Sequence, residues 1–326
     1  IVGYFLFFQI VNAVALLTCA TLAKVRYQYN FFVFFKAFKF AKPMFDKTKA
    51  LAFGSLFLTI TWILYYELDA FAIAKLLGPE SVAIYAIGFT VLTFLRTLFG
   101  VLFSPFFARF NHFIGLNDME GLRRLYLSIV TLTLPFVVFP ILSLFLLMDP
   151  FVNAWVGNHY ENSVLIAQLL IFCFIYGFIS RPAGFLIIAQ ERIKILYITA
   201  AIAPIIYWAG IASTIGSLGL TSFALFKLIA ISLNSVIYFF ITIKFLGFTL
   251  GDFVKQVLGP AAIPVAFLCG TLLYLDQFMP MGKSGTNLMI VVATGGSVSA
   301  IALFLYYIFS GHFRSYANGI FRKCFA

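Results

Sequence analysis

Residues 127–148 read LSIVTLTLPFVVFPILSLFLLM, a run without a single charged residue. Arg123 and Arg124 stand just before it and Asp149 just after it. Wound as an α-helix at about 1.5 Å per residue, the run is about 33 Å long, which matches the roughly 30 Å hydrocarbon core of a bilayer. A membrane β-strand would be about half as long and would alternate polar with apolar residues. The run is continuous instead, so it decides for an all-α membrane fold.

Eight further apolar runs, bounded by charge, Gly or Pro, lie at 1–23, 51–74, 82–106, 164–189, 195–214, 219–243, 257–275 and 288–310. The spacing therefore predicts a polytopic protein with about nine transmembrane helices. Composition agrees. Of the 326 residues, 63% are hydrophobic and 10% charged, against about 25% charged in an ordinary soluble domain. The mean hydropathy is +1.05. A soluble domain, a disordered chain and a nucleic-acid-binding module are all excluded. The net charge of +11 then reads as basic loops held at one membrane face rather than as a nucleic-acid footprint.

The basic residues sort by loop. Seventeen fall in alternate loops and the C-terminal tail: Lys24, Arg26, Lys36, Lys39, Lys42, Lys47, Lys49, Arg109, Arg123, Arg124, Arg192, Lys194, Lys244, Lys255, Arg314, Arg322 and Lys323. The opposite loops hold only Lys75 and Lys283. Cationic loops stay on the cytoplasmic side, so the tail at 311–326 is expected in the cytoplasm. The longest outer loop is 149–163, DPFVNAWVGNHYENS, too short to fold as a domain. Work is therefore expected within or between the helices. The chain opens on Ile1, inside an apolar run with no charged leader, and reads as the edge of a longer protein. Cys19, Cys173, Cys269 and Cys324 form no CxxC pair, so neither a disulfide framework nor a metal site is expected.

The inner loop 24–50 carries NFFVFFKAFKFAK, with Phe31, Phe34, Phe35 and Phe38 at helical spacing. Lys36, Lys39 and Lys42 run along another face, and Pro43 follows. That pattern predicts a basic amphipathic helix on anionic inner-leaflet lipid, linking two parts of the protein. A weaker interfacial segment is expected at 245–256, FLGFTLGDFVKQ.

Three cations lie within spans. Arg96 is about 15 Å from the inner end of its run, Arg181 about 12 Å from the inner end of its own, and Lys227 about 12 Å from the outer end of its run. Such residues are expensive at mid-bilayer and mark functional sites or structural pairs. Together they suit an anionic ligand such as a phosphate; pairing with internal acids is the alternative. Lys227, Asn234 and Tyr238 form one helical stripe. Arg181 precedes Pro182 between Gly177 and Gly184, a pattern that fits a hinge in the fifth span and equally a simple packing kink. Arg96 shares a face with Thr93 and Gly100. Glu67 and Asp69 point about 200° apart. Asp69 continues the stripe Thr61–Tyr65–Asp69 and is expected to be the inward, cavity-facing acid, able to take a proton or Na⁺ from water, or else to pair with Lys75 or Arg96. Glu67 follows an apolar face through Ile60 and Ile63 or Leu64.

The constellations of an enzyme are missing from the sequence. His112, His159 and His312 are far apart and are placed in loops, and no HExxH, GxSxG, P-loop or DxD-type pair occurs. The chain reads as a non-enzyme without a cofactor, apart from H⁺ or Na⁺ coupling.

Three segments carry a family resemblance: DAFAIAKLLGPESVAIYAIGFTV (69–91), the long stretch 104–172 with its WVGxxY outer loop, and GFLIIAQERIKILYITA (184–200). In order and spacing they resemble the polysaccharide transporter family of oligosaccharide-lipid flippases, within the multidrug/oligosaccharidyl-lipid/polysaccharide exporter superfamily. Ala83 departs from the family's usual Gly. The resemblance implies two six-span lobes around a central cavity. Residues 1–23 would end an N-terminal lobe, 24–50 would link, 51–243 would form the C-terminal six-helix lobe, 244–310 would add two spans, and 311–326 would be a basic cytoplasmic tail. It also implies a lipid-linked oligosaccharide substrate on undecaprenyl diphosphate, moved across a bacterial inner membrane for O-antigen or exopolysaccharide synthesis. A multidrug exporter of the same superfamily, or a membrane-bound polysaccharide polymerase or ligase, is the rival reading.

Overall fold

The computed structural model describes residues 2–27 and 42–324. They are almost entirely helical, with no strand among them. The chain forms two compact units, Ile1–Leu56 and Phe57–Ala326. In the first, helix α1 (Val2–Tyr27) is apolar until its last turn, where Lys24 and Arg26 stand. Helix α2 (Lys42–Trp62) begins at Lys42, which is exposed. Lys36, Lys39 and the phenylalanines of the expected amphipathic helix lie outside the described residues.

After a π-helical turn at Ile63–Glu67 come α3 (Leu68–Leu77), α4 (Pro79–Gly115), α5 (Met119–Leu146), α6 (Met148–Trp155), α7 (Asn162–Phe172), α8 (Gly177–Ala189), α9 (Ile193–Leu218), α10 (Thr221–Leu246), α11 (Leu250–Phe253), α12 (Gly259–Asp276), α13 (Gly285–Phe309) and α14 (Gly311–Cys324). Among the described residues, seven helical stretches are long and apolar enough to cross a membrane, and the bent pair α7–α8, counted as one broken span, brings the number to eight. This is a multi-pass membrane protein. The count of nine expected from the runs is not confirmed: 1–23 is helical as α1 but is not among these stretches.

Helix α5 is the centre of the larger unit, with 61% of its most apolar window buried against 22–33% in the other six spans. An apolar outer surface is what a lipid solvent requires of the remaining helices. Close approach depends on small residues. A Cβ on Gly88 would stand 2.8 Å from the Ala167 backbone, so α4 and α7 touch only because residue 88 has no side chain. Helix α13 is tied to α5 by Ser143 and Ser299, whose hydroxyls are 2.9 Å apart. Residues 244–310 lie in the same compact unit as 57–243.

Several boundaries differ from those read from the sequence. The expected loop 107–126 shrinks to residues 116–118, because α4 runs on to Gly115 and Asp118 caps α5 by accepting from the Gly121 N–H at 2.8 Å. His112 and His312 are therefore helical, and His159 lies in a 3₁₀ turn. The interfacial segment expected at 245–256 is split. Gly247, at φ 69°, ends α10, and Thr249 caps the start of the next span. The fifth span breaks at residues 173–176, upstream of the expected hinge at Arg181–Pro182, and bends by 44°. There the backbone bonds shift to three-residue spacing: Phe174 donates to Ile171, Ile175 to Phe172 and Gly177 to Phe174. Pro182 removes one bond, but it is buried inside α8 without breaking it.

Candidate functional site

The π turn at Ile63–Glu67 sets the site. An α-helix advances about 100° per residue, so a stripe with steps of four drifts about 40° at each step. One wider turn takes much of that drift back, and Thr61, Tyr65 and Asp69 are all buried on one face. Glu67 is exposed, beside the exposed Ile60, Ile63 and Leu64. Trp208 from α9 secures the turn by donating its indole N–H to the Leu64 carbonyl at 2.8 Å.

Asp69 is only 2% exposed, and three donors reach it. The Tyr85 hydroxyl from α4 donates to Oδ2 at 2.6 Å, and the Tyr207 hydroxyl from α9 donates to Oδ1 at 2.8 Å. The third donor is the Lys227 ammonium from α10, which forms an ion pair with Oδ2. Neither Lys75 nor Arg96 is the partner. Lys75 is six residues along the helix, on another side, and is exposed.

Lys227 is completely buried. Five rings surround its Nζ: Tyr66 and Phe89 at 5.2 Å, Tyr207 at 5.3 Å, Tyr65 at 5.6 Å and Tyr85 at 6.0 Å. The Tyr65 hydroxyl donates to the Lys227 carbonyl at 3.2 Å. Each ring face stabilises a desolvated cation by about 0.5–2 kcal/mol. Lys227 is thus satisfied internally and does not line a cavity as a free cation.

A chamber of about 340 Å³ adjoins this pair. Its walls include Trp62, Tyr65 and Tyr66 from the π-turn region, Arg181 from α8, and Asn234, Ser235 and Tyr238 from α10. Asn234 and Tyr238 are on the same stripe as Lys227, as the spacing predicted, but they reach the chamber while Lys227 turns away to Asp69. Tyr238 exchanges a hydrogen bond of 3.2 Å with Thr199. The Asn234 Oδ1 is buried without a partner among the described residues.

Arg181 and Arg96 differ from Lys227. The Arg181 guanidinium lies 5.8 Å from the Phe174 ring. Arg96 lies over the chamber-wall rings of Trp62 and Tyr66, at 5.0 and 5.3 Å, and these two rings stack on each other at 4.0 Å. Among the described residues, neither arginine has a carboxylate within 4.0 Å, and Arg96 Nη1 is buried without a hydrogen-bond partner. An arginine at mid-membrane costs about 2.5–3.5 kcal/mol on insertion scales, which one ring face only partly offsets. A second cavity, of about 490 Å³ between α4, α5 and α13, has no charged residue in its walls.

The aromatic box was not read from the sequence, although one signal was present. Tyrosine in a span prefers the membrane interface, whereas Tyr207 is eleven residues, about 16 Å, from the nearer end of α9. A tyrosine that deep needs a buried partner.

The fold and site define a multi-pass helical membrane protein with a basic, aromatic-walled chamber inside its larger unit. Comparison with known protein families, with curated proteins and with solved structures finds no match for the chain.

Proposed function

We propose that this protein is a transporter that moves a lipid-linked oligosaccharide across the bacterial inner membrane, with its C-terminal tail in the cytoplasm. The observation that carries the reading is a pair of guanidinium groups without a carboxylate partner among the described residues: Arg181 in the wall of a chamber within the helical bundle, and Arg96 against the chamber-wall rings of Trp62 and Tyr66. A diphosphate supplies the missing anion, and Arg matches phosphate oxygens bidentately. Asn234 and Tyr238 add polar contacts.

The cavity size limits what binds. About 340 Å³ is at the small end of ligand sites. It holds a phosphorylated headgroup and leaves the sugars and the lipid tail outside this chamber. The rival reading of a cationic-drug exporter is disfavoured because the site's acid, Asp69, is already paired with Lys227.

The test uses farnesyl diphosphate as the probe on detergent-purified protein. Arg181→Ala and Arg96→Ala should each weaken binding at least tenfold, Arg→Lys less, and Glu67→Gln should leave it unchanged. Equal affinity for farnesyl diphosphate and farnesol would defeat the reading. The transport readout is a fluorescent lipid-linked diphosphate sugar in proteoliposomes.

A further inference from the structure

The ion pair and the chamber are separated by two rings. Tyr65 and Tyr66 line the chamber on one side, and both lie within 5.6 Å of the Lys227 ammonium on the other. Both belong to the π turn Ile63–Glu67, a wide turn of the kind that often marks a movable functional segment. On α10, Ala230, Ile231 and Asn234 line the chamber. They stand three, four and seven residues beyond Lys227, so the lysine continues the chamber's own stripe. Tyr66 also touches Arg96, at 5.3 Å, so one ring stands against two cations.

The charges around the chamber and the pair do not balance: among the described residues, Arg96, Arg181 and Lys227 are accompanied by one acid, Asp69, which pairs with Lys227. A phosphate drawn in by the two arginines therefore meets a third cation within reach, held behind an aromatic side chain. Lys227 has three N–H donors and gives one to Asp69. Its other two meet ring faces and make no hydrogen bond in the structure.

We infer that an anion entering the chamber takes Lys227 from Asp69, and that Asp69 then accepts one proton. This rests on the reading that the chamber binds a diphosphate. The proton comes from the bulk solvent, where the buffer acid gives it up and becomes its conjugate base, and it forms an O–H bond on Asp69. The lysine keeps its own proton and carries its charge to the phosphate. A sealed carboxylate stripped of its cation is too costly to remain ionised. The neighbours suit the change. The hydroxyls of Tyr85 and Tyr207 donate to the carboxylate in this state, and a tyrosine hydroxyl can also accept from a protonated acid. The other groups around the pair are Tyr65 and Tyr66 from the π turn and Phe89 from α4, with Arg96 from α4 against Tyr66 and with Cys173 and Arg181 in the adjoining chamber wall. None of these is a second carboxylate. Asp69 is therefore the acid that takes the proton, and Lys227 becomes a third phosphate ligand.

The experiment is calorimetric titration of the purified protein with farnesyl diphosphate in two buffers of different ionisation enthalpy, which counts protons exchanged on binding. Wild type should take up one proton per ligand, and infrared difference spectra should show a new protonated-carboxyl band. In Asp69→Asn the uptake and the band should vanish. Affinity should rise several-fold, because the amide does not compete with phosphate for Lys227. In Lys227→Gln, uptake should vanish and affinity should fall. Binding without proton uptake in wild type overturns this inference and leaves the diphosphate reading standing. Weaker binding in a folded Asp69→Asn also overturns it. If Asp69→Asn does not fold, the wild-type proton count and the Lys227→Gln titration decide. No binding to wild type overturns both.

Discussion

Lys227 on α10 and Asp69 on α3 meet across 158 residues of chain in an ion pair that is 0% and 2% exposed at its side chains. A pair so deeply buried gains from Coulomb attraction and loses the hydration of both ions, so its net contribution to stability is small. Breaking it from one side is a different matter, because the survivor must either hold an unpaired charge out of water or give that charge up, and both cost free energy.

Removing the lysine alone is therefore expected to destabilise the fold strongly. Lys227→Met should cost about 3–5 kcal/mol, and Asp69→Asn/Lys227→Met together should recover most of that loss. Thermal unfolding in detergent measures both. If the double variant is no more stable than the single one, the damage comes from lost packing in the aromatic box rather than from an orphaned charge.

Gly88 predicts a second stability effect, with no charge involved. Its missing side chain lets α4 approach the Ala167 backbone. Gly88→Val should push the helices apart at about 1–3 kcal/mol. Gly100, on the same helix with nothing within 4 Å of its Cβ position, is the control: Gly100→Ala should be neutral or slightly stabilising. Equal loss in both variants would mean that glycine serves helix flexibility here and not contact.

Orientation is checked by labelling intact cells with an impermeant thiol reagent. His159 and Arg314 are both exposed, the first in the 3₁₀ turn after α6 and the second on α14. His159→Cys should react and Arg314→Cys should be shielded, as the basic-loop asymmetry requires. The opposite pattern places the C-terminus outside.

The spans were legible because solvation by lipid is a local property: about twenty apolar residues in a row decide a crossing whatever the rest of the chain does. Among the described residues, seven of the expected runs lie in helices long and apolar enough to cross a membrane, and an eighth, 164–189, is the bent pair α7–α8. The burial of Asp69 was legible for a related reason. Helical period is local, so Thr61, Tyr65 and Asp69 could be put on one face and Glu67 on another from spacing alone. Helix ends were less so. Whether residues 107–115 continue a helix depends on what they pack against, and Phe110 is buried in the core.

Partnership was beyond the sequence. Nothing near Asp69 in the chain names Lys227, because the pair exists only where α3, α4, α9 and α10 converge. Three cations looked equivalent as letters, and only packing separates one satisfied by a carboxylate and five rings from two that lack an acid. The break in the fifth span had the same origin. Proline weakens a helix locally, but a helix bends where its neighbours leave room, and here that is Cys173–Tyr176 rather than Pro182. Period and hydropathy act within a few turns and can be read along the chain. Charge pairing and bending act across the bundle, so only the tertiary structure decides them.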